Sequence, residues 1–376
     1  MNFQLQSIML REVRMPLIEP FRISSGTASL RRILLLETTD TDGVTAWSEC
    51  VAGERPYYSP ETIDTAWLAI QQWIGPCVLG VPIPGLDAIQ PSLDAKVRGH
   101  RMAKAAVEMS MWGLAAEREQ VSLASLIGGS RSQIATGISI GIQETPQRLV
   151  EKVRAALQEG YRKAKIKVQP GADLTYLEAV REALGQDAPL MADANSAYTT
   201  DDFDHLTQFD RFDLMMIEQP LAWDDLVRHA NLQRRLTTPL CLDESITDVD
   251  RADDMLTLGS GRIVNIKPGR VGGLSTARAI HNRCASAGVP VWCGGMLESG
   301  IGRAYNVALA SLPNFVLPGD ISPSARYWQR DIVSPEWTMD TAGMVTVPHD
   351  RPGIGVTVDR DYVDSLTVRS ETLTAD

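Results

Sequence analysis

Histidine and cysteine are both scarce, five of each in 376 residues, and aromatic residues make up only 6% of the chain. Cys50, Cys77, Cys241, Cys284 and Cys293 are odd in number and scattered, without a CxxC pair. That spacing speaks against a zinc ribbon or a disulfide framework and suits reduced thiols packed as small hydrophobes. There is no Lys/Arg-rich run and no interleaved aromatic strip, and the formal net charge of −11 disfavours a polyanion, so nucleic acid is not expected as a partner. No apolar run reaches membrane-spanning length, and Arg11 and Glu12 interrupt the N-terminal region before a signal-like core develops. A cytoplasmic protein without membrane contact is expected.

The length suits roughly two to three domains and a large buried core. Segments near 4–14 and 31–38 are apolar and extended in character, and Asp42-Gly43 supplies a hairpin turn into VTAWSEC. Ser59-Pro60 reads as the opening of a helix, with Ser as N-cap and Pro at the first helical position, carrying Ile63, Ala66, Trp67 and Ile70 at helical spacing. A second helical stretch, roughly 94–118, sets Ala103, Ala106, Val107, Ser110, Met111 and Leu114 along one face. An α+β unit over residues 1–130 is expected.

From about residue 134 the pattern alternates strand and helix. Candidate strands are ATGISIGI, KAKIKV, PLMADA, LMMIEQ, PLCLDE, RIVNIK, PVWCGG and FVLPGD, separated by helical patterns such as PQRLVEKVRAALQEG and LSTARAIHNRCASAG. This predicts an α/β fold, a (β/α)7β TIM-type barrel over 131–322. The tail, 323–376, includes the extended segment MVTVPHDRPGIGVTV and is expected to return to the first unit, completing an α+β capping domain. An open doubly wound sheet is the alternative, but it does not bring many consecutive strand ends to one point.

Lys167, Asp193, Glu218, Asp243 and Lys267 each close a candidate strand. Lys167 and Asp193 are 26 residues apart, and the next three intervals are 25, 25 and 24, about one strand, one helix and two loops. Successive strand ends would present lysine, three acids and lysine around one rim. Converging carboxylates repel unless a divalent cation sits between them, and an all-oxygen site suits Mg²⁺, with Mn²⁺ as a substitute. Strand periodicity agrees: Lys163, Lys165 and Lys167 share the face opposite Ala164, Ile166 and Val168; Asn265 and Lys267 share another, as do Asp193 and Asn195. Lysines on an inner barrel face are tolerated chiefly near the C-terminal mouth, where Lys165 and Lys167 fall.

The segments KAKIKVQPG, MADANSAY, MIEQP, CLDES, NIKPGRVGG and GGMLESGIGRA resemble the enolase superfamily in its muconate-lactonizing subgroup. Within it they are most similar to the o-succinylbenzoate synthase / N-succinylamino acid racemase family. The resemblance extends to ECVAGERPYYSPET and GDISPSARYW, and thus to nearly the whole chain. It implies that Asp193, Glu218 and Asp243 ligate Mg²⁺, that Lys167 and Lys267 form the acid/base pair, and that Lys165 holds a small-molecule carboxylate substrate, with Asn195 also at the substrate. Loops around 20–26 and 50–60 would cover the mouth. Gly113 departs from the pattern, since related chains usually have Asp after the Trp.

The implied chemistry is removal of a proton alpha to a carboxylate, giving o-succinylbenzoate by dehydration, racemising N-succinylamino acids, or both. Such a proton is too weakly acidic for an unaided lysine, and a lysine near its ordinary pKa of about 10.4 would be protonated. Neighbouring cations, Lys165, Arg270 and the metal, are expected to depress it. Arg270, three residues after Lys267, is by resemblance typical of the branch that also racemises, and it is expected at the substrate. Backbone N–H groups at Ser299, Gly300 and Ile301, where a helix begins after the seventh strand, are a candidate cradle for a distal succinyl carboxylate. No histidine falls at a barrel strand end, which argues against a histidine-base racemase, and GDISPS lacks the Asp-x-Asp of dipeptide epimerases. A cycloisomerase, an acid-sugar dehydratase and a non-enzymatic metal-binding barrel are the alternatives. A homo-oligomer is expected.

Overall fold

The structure, a computed structural model, describes residues 3–23 and 26–375. Ser24 and Ser25, inside the loop expected at 20–26, lie outside the described residues. The N-terminal sheet is antiparallel. It runs Thr367–Thr374, Phe3–Ile23, Gly26–Asp40, Thr45–Cys50, with Pro82–Ile83 paired beside Phe3 and Gln4. Ile33 to Leu36 form an unbroken apolar run rather than an alternating one because both faces of the sheet are covered. Leu34 and Leu36 pack with the cap helices, while Ile33 and Leu35 join the core shared with the barrel.

Two cap helices begin elsewhere than the sequence signals. The helix expected to open at Ser59-Pro60 starts at Ile63, because Thr62 and Thr65 form a reciprocal capping box; Ser59 instead accepts the Glu61 N–H in a local turn. The stretch 94–118 is two helices, Ile89–Lys96 and Arg101–Arg118, since Val97 is extended and His100 is left-handed. Nearly every residue of the second helix is buried, so it has no solvent stripe. Gly113 on that helix lets Tyr305 approach: a Cβ there would stand 2.5 Å from the Tyr305 hydroxyl, which donates to the Trp47 carbonyl at 2.7 Å. Overpacking a dense core costs about 1–3 kcal/mol, against about 1 kcal/mol of helix preference for Ala over Gly. Gly113→Ala should therefore lower stability by about 1 kcal/mol in urea denaturation, and adding Tyr305→Phe should recover part of it; an unchanged midpoint would show that the tyrosine ring yields.

The second layer is a parallel sheet of seven strands in sequential order, Ile138–Ile140, Ala164–Lys167, Leu190–Asp193, Ile217–Glu218, Leu240–Leu242, Ile263–Ile266 and Val291–Cys293. FVLPGD, expected as an eighth strand, forms only two bridges, Phe315 to Val291 and Gly319 to Thr136. These two bridges close the barrel between its seventh and first strands. Pro318 has no N–H to donate, which keeps the segment from a regular ladder. Outward residues of the second strand, Ala164, Ile166 and Val168, pack with helices Pro146–Gln158 and Leu174–Leu184, and the lysines between them turn inward.

The tail returns to the cap through its last strand rather than through MVTVPHDRPGIGVTV. Met344–Thr346 pairs with Gln133–Ala135 and Thr357–Val358 with Val333–Ser334, whereas Thr367–Thr374 joins the N-terminal sheet. Two buried cap carboxylates reach the N-termini of barrel helices. Glu108 accepts from the backbone of Leu274 and Ser275 at 2.8 and 2.9 Å, and Glu49 from Ser299 and Gly302 at 3.0 and 3.1 Å. Carboxylates at helix N-termini meet orphan N–H groups and the positive end of the macrodipole, which fastens cap to barrel. Among the described residues, no helix is long and apolar enough to cross a membrane.

Candidate active site

Register brings the predicted ring to one rim. Lys167 pairs with Asp193 and Asp193 with Glu218 across adjacent strands, each at the last position of its strand, and Asp243 and Lys267 come one residue past the fifth and sixth. The three acids and both lysines are buried. Lys167 Nζ donates to Asp193 at 2.6 Å and to the Asn195 side-chain oxygen at 2.7 Å. Lys267 Nζ donates to Asp243 at 2.7 Å and to the Tyr58 hydroxyl at 3.0 Å. Lys165 stands between acids, 3.1 Å from Asp193, 3.3 Å from Glu218 and 2.6 Å from Asp320. One layer down, Lys163 lies over the Trp292 ring at 3.5 Å and 3.3 Å from Asp320.

Burial works against every charge here, and the neighbours decide the outcome. Lys167 and Lys165 hold Asp193 well below the usual carboxylate range in spite of its burial. Burial and the repulsion of Asp193 and Asp243 push Glu218 up to about 7. Burial is the largest single influence on Lys267 and lowers its pKa, but Asp243, Tyr58 and Glu218 together outweigh it and the net shift is upward. The protein's own side chains therefore do not supply the depression expected from Lys165, Arg270 and the metal together, since the nearest strong influence on Lys267 is an anion.

As the side chains stand, no three His, Cys, Asp or Glu groups among the described residues converge as an ion-holding cluster. Lysine ammonium groups take up the space between the carboxylates. The donor set nevertheless fits a hard divalent cation: three buried carboxylates on consecutive strand ends, oxygen donors only, with one carboxyl pushed upward by its like-charged neighbours. Asn265 donates to Glu218 at 2.6 Å and orients it.

Other predicted residues fall elsewhere than expected. Arg270 was expected at the substrate, but it is 4% exposed and lies behind the rim. It donates to Asp243, to the Ile246 carbonyl at 2.8 Å and to the Asn265 carbonyl at 2.6 Å. Ser299, Gly300 and Ile301 do begin a helix, but their cradle is filled. Ser299 donates through N–H and hydroxyl to Glu49, Gly300 N–H donates to Asp331 at 2.8 Å, and Ile301 N–H to the Ser299 hydroxyl at 3.3 Å. The chain's own carboxylates take the place proposed for the substrate's. Asn195 lines the cavity, yet its side chain is committed to Lys167 and to Glu244, the latter at 3.1 Å.

Three site residues were not singled out from the sequence. Tyr58, from the expected 50–60 loop, donates to Asp243 at 2.9 Å and places its ring under Lys267 at 4.4 Å. Asp320, from GDISPS, bridges Lys163 and Lys165. Glu244, the residue after Asp243, is buried, with its carboxyl raised by burial and by Asp243. All three lie inside segments that carry the family resemblance; adjacency to the ring was a signal for Glu244 alone. Above the rim is a cavity of about 520 Å³, within the ~300–1,000 Å³ usual for small-molecule sites. Phe21, Leu30, Arg31 and Tyr58 line it from the cap, and Lys165, Lys167, Lys267 and Asp320 from the barrel.

A capped (β/α) barrel whose rim sets two lysines about three acids defines a class of enzyme built for proton transfer beside a cation. The chain matches the Enolase C-terminal domain-like family over residues 148–362 and the Mandelate racemase / muconate lactonizing enzyme N-terminal domain over 6–128. It is 47% identical to an o-succinylbenzoate synthase of Geobacillus stearothermophilus, over 98% of this chain and 97% of that one. It is 45% identical to an N-succinylamino acid racemase of an Amycolatopsis species, over 97% and 98%. A crystal structure of an enolase superfamily member from Listeria innocua is similar with a TM-score of 0.95 at 39% identity, covering 100% of both chains. The chain belongs to the enolase superfamily, with both the N- and C-terminal domains of the mandelate racemase / muconate lactonizing group.

Proposed function

We propose that this protein removes the proton alpha to a substrate carboxylate with Lys167 and Lys267, acting as an o-succinylbenzoate synthase, an N-succinylamino acid racemase, or both. The observation that carries the reading is the placement of the two lysines on the second and sixth strands, each hydrogen-bonded to its own acid and both lining the one cavity. In this reading residues 1–130 and 323–376 form the cap, 131–322 the catalytic barrel, and the enzyme works as a cytoplasmic homo-oligomer.

Asp193, Glu218 and Asp243 would hold Mg²⁺, or Mn²⁺ in its place, which when bound supplies positive charge to offset the negative charge building on the substrate carboxylate. Lys165 adds a second cation beside the same oxygens. In racemisation one lysine takes the alpha proton from its face of the carbon, and the other returns a proton from the opposite face. In dehydration Lys167 takes the proton and then delivers it to the departing hydroxyl, releasing water, while Lys267 stays protonated as a charge. Asn195 fixes Lys167 by its 2.7 Å hydrogen bond, and Tyr58 does the same for Lys267 at 3.0 Å. Incubation of N-succinylamino acids with the Mg²⁺-loaded protein in D₂O tests this reading. Deuterium should appear at the alpha carbon; binding without exchange would leave a metal-binding barrel as the better account.

Arg270 separates the two reactions. It and Lys267 take opposite oxygens of Asp243, so the guanidinium draws on the charge that otherwise holds the lysine protonated. Arg270→Gln leaves that charge to Lys267 and makes it a poorer base, which matters for racemisation and not for dehydration. Racemase kcat/KM should fall about tenfold further than synthase kcat/KM, the equivalent of about one pKa unit on Lys267. An equal fall in both would mean that Arg270 acts through general structure.

A further inference from the structure

The substrates of both reactions carry a second carboxylate, at the far end of the succinyl chain. The helix N-terminus at Ser299 is closed to it by Glu49 and Asp331. Most cations around the cavity are already engaged as well. Lys165, Lys167 and Lys267 each pair with acids of the ring, Arg32 is held by Glu12 and Asp64, and Arg55 is an exposed side chain reaching the Tyr57 hydroxyl.

Arg31 differs from all of these. It lines the cavity from the cap sheet with 8% of its surface exposed, and its one hydrogen bond among the described residues is to the Val51 carbonyl at 2.8 Å. Its Nε has no partner, and no carboxylate forms a salt bridge with it among the described residues. Burial disfavours its charge more than the more distant Glu49 and Glu298 support it. A buried guanidinium with an open donor is costly unless an anion completes it, and a carboxylate matches its planar donor fork.

We propose that Arg31 binds the distal carboxylate of the substrate, so that the site selects acyl groups derived from a dicarboxylic acid, succinyl over acetyl. The inference rests on the reading of the site given above. It also gives the cap a direct hold on a substrate whose reacting carbon lies at the barrel rim.

The test compares wild type, Arg31→Gln and Arg31→Met on N-succinylmethionine and N-acetylmethionine, with calorimetric binding of N-succinylglycine in the presence of Mg²⁺ measured alongside. The ratio of kcat/KM for succinyl over acetyl should fall about 30-fold or more in both variants, mostly through KM, as for truncation of one partner of a buried charge pair. Arg31→Lys should restore part of it. Arg31→Met keeps the volume of the side chain and serves should the Gln variant fail to fold. An unchanged ratio, or the same loss on both substrates, overturns the assignment. If wild type turns over neither substrate, the activity reading fails, and the calorimetry still decides the anchor. Weaker N-succinylglycine binding in the Met variant than in wild type supports it, while equal or absent binding overturns it.

Discussion

Lys167→Ala and Lys267→Ala are each expected to abolish racemisation, by a factor of about 10³ or more, while retaining exchange of only one enantiomer. A positioned general base contributes about 10²–10⁴ in rate, and racemisation needs one on each face of the alpha carbon. The structure makes the two removals separable. Lys167 is tied to Asp193 and Asn195, Lys267 to Asp243 and Tyr58, and neither hydrogen-bonds the other's acid. In the Lys167→Ala protein Asp193 keeps Lys165 at 3.1 Å, and in the Lys267→Ala protein Asp243 keeps Arg270. Each variant therefore retains a partner for its buried carboxylate, and the remaining lysine keeps its setting. Measured in D₂O by NMR, each variant should wash deuterium into the enantiomer whose alpha proton faces the surviving lysine and leave the other untouched. Equal exchange of both enantiomers by either variant would contradict a two-face mechanism. Synthase activity should also fall in both, through lost base and acid at 167 and lost charge at 267.

The ring was legible because it depends on two short-range regularities. A (β/α) repeat places a strand end every 24 to 26 residues, and a strand sends alternate side chains to one face, so Lys167, Asp193, Glu218, Asp243 and Lys267 could be put in phase without knowing what packs on them. Inward Lys163 and Lys165 follow from the same rule.

What was hidden depends on segments far apart in the chain. The N–H groups at Ser299 are free by every local criterion; what closes them is Glu49, 250 residues earlier and on another sheet. Tyr58 reaches Asp243 across 185 residues. Arg270 is three residues from Lys267, yet it turns behind the rim because backbone carbonyls of Ile246 and Asn265 take its remaining donors. Local signals also misled where two caps competed. Ser59-Pro60 satisfied the rule for a helix start, and the Thr62–Thr65 box three residues later prevailed because it satisfies two backbone or side-chain donors at once. The break between Ile89–Lys96 and Arg101–Arg118 spans an extended Val97 and left-handed Gly99 and His100, which the helical spacing of the apolar residues on either side does not announce.

Removal of divalent metal should abolish turnover altogether, and Glu218→Gln should make that loss permanent. The rim holds three buried carboxylates, and the lysines that face them are the groups proposed as acid and base. With the metal chelated, Lys165 and Lys167 stay bound to Asp193, and the charge that proton removal would create loses its divalent counter-ion. Activity should return with Mg²⁺ or Mn²⁺. Glu218 is the middle acid, pushed up to about 7 by burial and by Asp193 and Asp243 on either side, so a neutral amide of the same shape relieves repulsion in the metal-free protein while removing one anionic ligand. Its stability effect has a definite sign. A carboxyl whose folded pKa is raised above its unfolded value of 4.5 destabilises the fold progressively as pH rises from about 4.5 to about 7. Metal-free Glu218→Gln should therefore match wild type near pH 4.5 and exceed it at pH 8. Added Mg²⁺ then narrows that difference at pH 8. A ligand at 100 times its Kd stabilises by about 2.7 kcal/mol, which wild type should gain and the variant should lack. Denaturation midpoints at the two pH values, with and without Mg²⁺, read both effects independently of turnover. Equal Mg²⁺ stabilisation of the two proteins, or full turnover by rigorously metal-free wild type, would remove Glu218 from the metal site.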